Sequence, residues 1–99
     1  MSLYLDTAYV AKCYLNEPGS DRVRALVRGE SGLTSCAWCR AEMACVVLRH
    51  VREGGLSPKQ ARALHDLFLS DVRAGVWSLI PVATDLLGAL EERIKGRSV

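Results

Sequence analysis

The feature that most constrains the fold of this chain is the alternation of short apolar runs with longer stretches of helical periodicity. Three short runs are the candidate strands, and the first reads as a buried one. They cover residues 3–5, 33–34 and 76–82. Strands that are separated by helices pair in parallel through crossovers, so the sequence predicts an α/β fold with a mostly parallel sheet. The length of 99 residues predicts a single domain, residues 1–99.

Breaker residues and caps divide the intervening chain into helices. The predicted helices cover residues 7–15, 20–28, 36–53, 58–75 and 84–95. The fourth opens with a capping box of Ser57 and Gln60, and Pro58 occupies its first position. The third is apolar all round in its middle except at Glu42, which predicts burial on more than one face. The expected order is therefore β, α, α, β, α, α, β, α.

The composition excludes several classes of protein. Apolar residues make up 49% and charged residues 24% of the chain, which is typical of a globular domain and not of a disordered one. The longest apolar run, residues 43–48, is too short to cross a bilayer. No basic region precedes an apolar stretch at the start, so no signal peptide is predicted. We therefore expect a cytoplasmic chain that binds no membrane and keeps its four cysteines reduced.

Two acidic residues stand out as candidates for chemistry. Asp6 directly follows the first predicted strand, and ligands of open α/β sheets bind outside the carboxyl ends of the strands. Glu42 lies among apolar helix neighbours, so a buried carboxylate there needs a partner or a cation. Together they suggest oxygen ligands for Mg²⁺ or Mn²⁺, which can activate water for attack on a phosphodiester. The structural alternatives are a helix cap at Asp6 and an ion pair of Glu42 with Arg40, Arg49 or an arginine from elsewhere in the chain.

The order of these residues resembles the PIN domain, specifically the VapC-like toxins of bacterial toxin–antitoxin pairs. The matching segments are residues 3–7 (LYLDT), 14–20 (YLNEPGS), 34–35 (TS) and 41–44 (AEMA). The resemblance covers essentially the whole chain. It implies an α/β/α sandwich with a mostly parallel sheet that lacks the last strands. The remaining acidic residues and strands of the family would follow Val99, so the chain is expected to be the N-terminal portion of the family domain.

The resemblance also implies a function. The family members are endoribonucleases that depend on Mg²⁺ or Mn²⁺ and hydrolyse RNA phosphodiesters. Asp6 and Glu42 match catalytic and metal-binding residues, and Thr7 and Ser35 match hydroxyl positions beside them. The implied partners are an RNA substrate and a cognate antitoxin protein, and we expect a homodimer because an unpaired sheet edge favours self-association.

Two other functions compete with the ribonuclease. The first is a catalytically incomplete PIN fragment that acts only by antitoxin binding or self-association. The second is a zinc or redox module built on Cys36-x-x-Cys39, together with Cys13 and Cys45. There is no second C-x-x-C for zinc, and the pair is expected inside a helix start, without the strand of a thioredoxin-like motif.

The remaining conspicuous side chains are assigned structural roles. Trp38 and Trp77 are expected in the core, and His65 at the surface or its boundary. Four basic residues around the Gly54-Gly55 turn could contact RNA phosphates, but a solvated helix face is the favoured interpretation. These are Arg49, Arg52, Lys59 and Arg62.

Overall fold

The computed structural model describes residues 2–81, which form four helices and a three-stranded parallel sheet. The elements are β1 (Ser2–Tyr4), α1 (Thr7–Tyr14), α2 (Ser20–Arg28), β2 (Gly32–Cys36), α3 (Cys39–Arg52), α4 (Pro58–Arg73) and β3 (Trp77–Ile80). The predicted α/β class with a parallel sheet is confirmed. The expected helix over residues 84–95 and the end of the third predicted strand at Val82 lie outside the described residues.

The sheet has the order β1-β2-β3, so β2 is its central strand. Leu33 of β2 lies opposite Leu3 on one side and Trp77 on the other. Both pairings are parallel, which brings the carboxyl ends of β1 and β2 to the same edge of the sheet. This edge is where a ligand of an open α/β sheet is expected.

Side chains alternate between the two faces of the sheet. Leu5, Ser35 and Trp77 are buried. They lie on the same face of the sheet as the strand residues that pack against the helices. On the opposite face Tyr4 is 54% and Ile80 49% exposed. In the part of the chain that the structure describes, the core therefore lies on one face of the sheet.

The core joins the strands to α1, α3 and α4. Its buried apolar cluster consists of Leu5, Val10, Ala11, Leu15, Cys39, Met43, Phe68 and Trp77. Phe68 packs edge to face on Tyr14, with ring centroids 5.7 Å apart. The prediction that Trp77 lies in the core is confirmed, since the residue is 3% exposed.

The expectations for Trp38 and for the middle of α3 are wrong. Trp38 precedes α3 as its N-terminal flanking residue and is 54% exposed. The helix buries only Cys39, Met43 and Val47, which lie one turn apart along a single stripe. Leu48 lies off that stripe and is 55% exposed. Helix α3 is apolar on several sides but is buried on one, because α1 and α4 contact only part of its circumference.

Helix α4 begins as the sequence predicts. The Ser57 Oγ accepts a hydrogen bond from the Gln60 amide at 3.1 Å, and Gln60 Oε1 accepts one from the Ser57 amide at 2.9 Å. This capping box satisfies two backbone donors at the helix start. The third predicted helix starts later than expected, because Cys36 belongs to β2 and α3 begins at Cys39.

Candidate functional site at the carboxyl edge of the sheet

Asp6 lies where β1 ends and α1 begins. The preceding amide, that of Leu5, still donates to the Thr34 carbonyl of β2 at 2.9 Å. Asp6 is the N-cap of α1, and its Oδ1 accepts a hydrogen bond from the Tyr9 amide at 3.2 Å. The capping alternative is thus confirmed. It uses one carboxylate oxygen of an exposed side chain, so the second oxygen can still bind a ligand.

Glu42 lies in the first turn of α3, and its surroundings differ from the prediction. The side chain is exposed, so the expectation of a buried carboxylate is wrong. Its Oε1 accepts a hydrogen bond from the Thr7 hydroxyl at 2.8 Å. Within residues 2–81 neither Arg40 nor Arg49 forms an ion pair with it. Glu42 is therefore held by a neutral donor, which leaves its negative charge available.

The Thr7 hydrogen bond brings Glu42 next to the residue that follows Asp6, whereas Asp6 itself also lines a second groove beside α2. Thr7 follows Asp6 in the chain, and it contacts Glu42 across 35 residues of sequence. Thr7 thus contacts Glu42 and is adjacent to Asp6 in the chain. Ser35 does not reach them through any described hydrogen bond. It is 1% exposed, and its hydroxyl lowers the pKa of the neighbouring Cys39 thiol.

Cys39 is buried next to Thr7 and Glu42, and it was not identified from the sequence as a site residue. Its side chain is fully buried, and burial raises the pKa of the thiol above its ordinary value. The nearby hydroxyls of Thr7 and Ser35 oppose that rise, whereas the charge of Glu42 adds to it. The spacing of one helical turn between Cys39 and Glu42 is the signal that could have identified it.

The C-x-x-C pair has a different context from the one expected. Cys36 is the last residue of β2 and Cys39 the first of α3, so the pair does follow a strand. The expectation that the pair lacks a preceding strand, which argued against a redox motif, is therefore wrong. The raised pKa of the Cys39 thiol nevertheless opposes thiolate chemistry at neutral pH. Both cysteines are free thiols.

The donor atoms of Asp6 and Glu42 match a hard divalent cation in kind. Carboxylate oxygens are the protein ligands that Mg²⁺ and Mn²⁺ prefer, and one or two carboxylates with substrate phosphate and water form an ordinary site. Asp6 and Glu42 each use one oxygen in a described hydrogen bond. Within residues 2–81 no group of three or more His, Cys, Asp or Glu side chains could hold a metal ion. Asp6 and Glu42 alone would supply two of the ligands of such a cation.

A groove between α1 and α3 extends from Glu42, with a volume of about 700 Å³. Thr7 and Glu42 lie at one end of this α1–α3 groove, and Arg49 and Arg52 line it further along α3. Its floor is formed by small and aliphatic side chains, Ala8, Ala11, Ala41 and Val46. The groove explains the exposure of Glu42, because the small side chains leave space between the two helices.

Comparisons of the chain with protein-family models, curated proteins and solved structures find no match. The resemblance to the PIN domain therefore stays a prediction that rests on the quoted segments. Within residues 2–81 no helix has the length and apolar character needed to cross a membrane.

Proposed function

We propose that this chain is a Mg²⁺- or Mn²⁺-dependent endoribonuclease of the PIN type, the toxin of a cytoplasmic toxin–antitoxin pair. The observation that supports the proposal is the 2.8 Å hydrogen bond from Thr7 to Glu42, directly beside Asp6. It joins Glu42 to the neighbour of Asp6, at the edge of a parallel sheet where ligands bind. The cognate antitoxin and a second copy of the chain are proposed as its protein partners.

In this proposal the side chains have distinct roles. Asp6 and Glu42 would hold the cation, which when bound polarises water and offsets charge on the phosphodiester. The N-cap bond to Tyr9 fixes the orientation of the Asp6 carboxylate. Thr7 fixes that of Glu42 without neutralising it. Water attack at phosphorus would leave a 5′-phosphate and a 3′-hydroxyl, as the resemblance implies.

The decisive experiment compares RNA cleavage in Mn²⁺ by the wild type and Asp6→Asn. Asparagine retains a side-chain oxygen that can cap α1, so the fold is preserved. We expect cleavage to fall by more than about 100-fold, because even groups that only orient a metal ligand contribute about 10–100-fold. The control is Asp66→Asn, which removes an exposed carboxylate on α4. Equal cleavage by Asp6→Asn and wild type would overturn the proposal.

The alternative function is a PIN-type chain that does not cleave RNA and acts only by binding an antitoxin or itself. The observation that favours it is the two-carboxylate set, since no third ligand joins Asp6 and Glu42 within residues 2–81. A wild-type chain that shows no Mn²⁺-dependent cleavage but forms a stable complex with an antitoxin or with itself would establish this alternative.

A further inference from the structure

We propose that Arg49 and Arg52 bind the phosphate backbone of a single-stranded RNA that lies in the α1–α3 groove, next to the phosphodiester at Asp6 and Glu42. This inference rests on the proposed nuclease function and adds the path of its substrate. The groove has negative charge at the Glu42 end and positive charge at the end of Arg49 and Arg52. A polyanion binds at both ends when a metal ion links one of its phosphates to the carboxylates.

The three charged residues on α3 share one stripe of the helix. Arg49 and Arg52 follow Glu42 by seven and ten residues, which places all three on the same face. At 1.5 Å per residue they lie about 10 and 15 Å from Glu42 along the axis. These distances match a strand of a few nucleotides that runs along the groove from the carboxylates.

The two guanidinium groups are available for a ligand. Arg49 and Arg52 are exposed, and neither forms an ion pair or a side-chain hydrogen bond within residues 2–81. A guanidinium presents a planar set of donors that matches phosphate oxygens. Both residues also lie in the last turn of α3, where positive charge stabilises the helix dipole. The test must therefore measure binding and not only stability.

The other charged residues of the groove are engaged with one another. Lys12 Nζ donates to the Pro18 carbonyl at 2.9 Å and lies 3.7 Å from Glu17 Oε1. The second Glu17 oxygen lies 3.0 Å from His50 Nε2. Because Glu17 is acidic, the set of Lys12, Glu17 and His50 does not attract a polyanion. The two arginines are the residues that attract it.

The lining of the groove favours recognition of the backbone over recognition of bases. None of the side chains that line it is aromatic, so it offers no platform on which a base could stack. Ala8, Ala11 and Ala41 carry no side-chain donor or acceptor for a base edge. Phosphate contacts position a nucleic acid without reading its sequence. Binding in this groove is therefore expected to depend little on sequence.

The test measures binding of a fluorescently labelled single-stranded RNA by anisotropy, in chelator to prevent cleavage, over a series of salt concentrations. Each phosphate contact contributes about 0.7 to the slope of log K against log salt for single strands. The variant R49Q/R52Q should have a slope shallower by about 1.4, and at about 0.1 M salt its affinity should fall about 25-fold. R49K/R52K should keep the wild-type slope, and R62Q, on α4, should change neither quantity.

A second measurement separates this inference from the proposed function. In Mn²⁺, R49Q/R52Q should raise KM and leave kcat unchanged, whereas Asp6→Asn should lower kcat. If Asp6→Asn abolishes cleavage while R49Q/R52Q binds RNA with the wild-type slope, the groove inference is wrong and the nuclease stands. If R49Q/R52Q shows the shallower slope but the wild type never cleaves, the groove binds RNA and the nuclease is wrong. A wild type that binds no RNA overturns the inference.

Discussion

Two of the polar clusters within residues 2–81 that connect distant parts of the chain differ in how completely their groups are paired. In the half-buried cluster, the Tyr14 hydroxyl donates to Asp71 Oδ2 at 2.6 Å and accepts from Trp77 Nε1 at 2.7 Å. In the exposed cluster, Thr7 donates to Glu42 beside Asp6, and each carboxylate uses one oxygen in a described hydrogen bond.

The difference suggests different roles for the two clusters. A buried hydrogen-bond network whose members satisfy one another contributes to stability, and its loss leaves polar groups unpaired. An exposed pair of carboxylates contributes little to stability and has acceptor capacity left for a cation or substrate. Substitutions in the Tyr14 cluster should therefore change stability, and those in the Glu42 cluster should change activity.

The largest effect is expected for Glu42→Gln. Glutamine keeps an oxygen that accepts from Thr7 and loses the charge, so RNA cleavage in Mn²⁺ should fall by more than about 100-fold, as for a lost metal ligand. The melting temperature should stay close to wild type, because exposed substitutions change stability by about 0.5 kcal/mol or less. The matched control is Glu53→Gln, an exposed glutamate at the end of α3. Retained cleavage in Glu42→Gln would remove this cluster from the catalytic site.

The next effect is the loss of stability in Tyr14→Phe. The substitution leaves the Trp77 indole N–H without its acceptor and removes the donor to Asp71. We expect the free energy of unfolding to fall by about 1–3 kcal/mol, measured by urea denaturation. Tyr9→Phe, at a side chain 49% exposed, should be close to neutral. Unchanged stability in Tyr14→Phe would mean that the two clusters do not differ as described.

A smaller effect is expected for Thr7→Ala. It removes the hydroxyl that orients Glu42 but neither carboxylate, so cleavage should fall about 10–100-fold, as for other groups that orient a metal ligand. Thr7→Ser keeps the hydroxyl and should remain close to wild type in a steady-state cleavage assay. If serine and alanine are equally impaired, the hydrogen bond is not what matters at this position.

The smallest effect concerns alkaline pH. Burial and the hydrogen bond to Asp71 raise the pKa of Tyr14 above its ordinary value of 10.0, and burial raises that of Cys39 above 9.0. The folded chain therefore keeps protons that the unfolded chain loses, so stability is fully present below about pH 9 and falls as the pH rises above it. Unfolding measured from pH 8 to 11 should show this decline, and Tyr14→Phe should show a shallower one above pH 10. Identical slopes of stability against pH in the wild type and Tyr14→Phe would show that Tyr14 does not cause the decline above pH 10.

Much of the fold follows from local sequence, and the exceptions have a common cause. Helix α4 was predictable from its capping box, and the strand at Trp77 from its apolar and aromatic composition. The central strand β2 was underestimated because Gly32 and Ser35 have little strand character. Its length is set by pairing on both sides, which is a property of the sheet and not of the segment.

The candidate site was predictable in its residues but not in its environment. Asp6 and Glu42 were identified from their positions, but the burial expected for Glu42 was wrong. Helix periodicity describes which residues share a face but not how closely another helix approaches that face. Here Ala8 and Ala11 of α1 are too small to cover Glu42. The Thr7 contact spans 35 residues, so only a resemblance or a structure could indicate it.

The central claim is that Asp6 and Glu42 together bind a divalent cation, and its most direct test is isothermal titration of the 99-residue chain with Mn²⁺. The wild type should bind Mn²⁺, whereas D6N/E42Q, which loses both charges while keeping the described hydrogen bonds, should not. D66N/E53Q serves as the control for the loss of two exposed charges and should bind as the wild type does. Equal Mn²⁺ binding by the wild type and D6N/E42Q, or no binding by the wild type, would contradict the account.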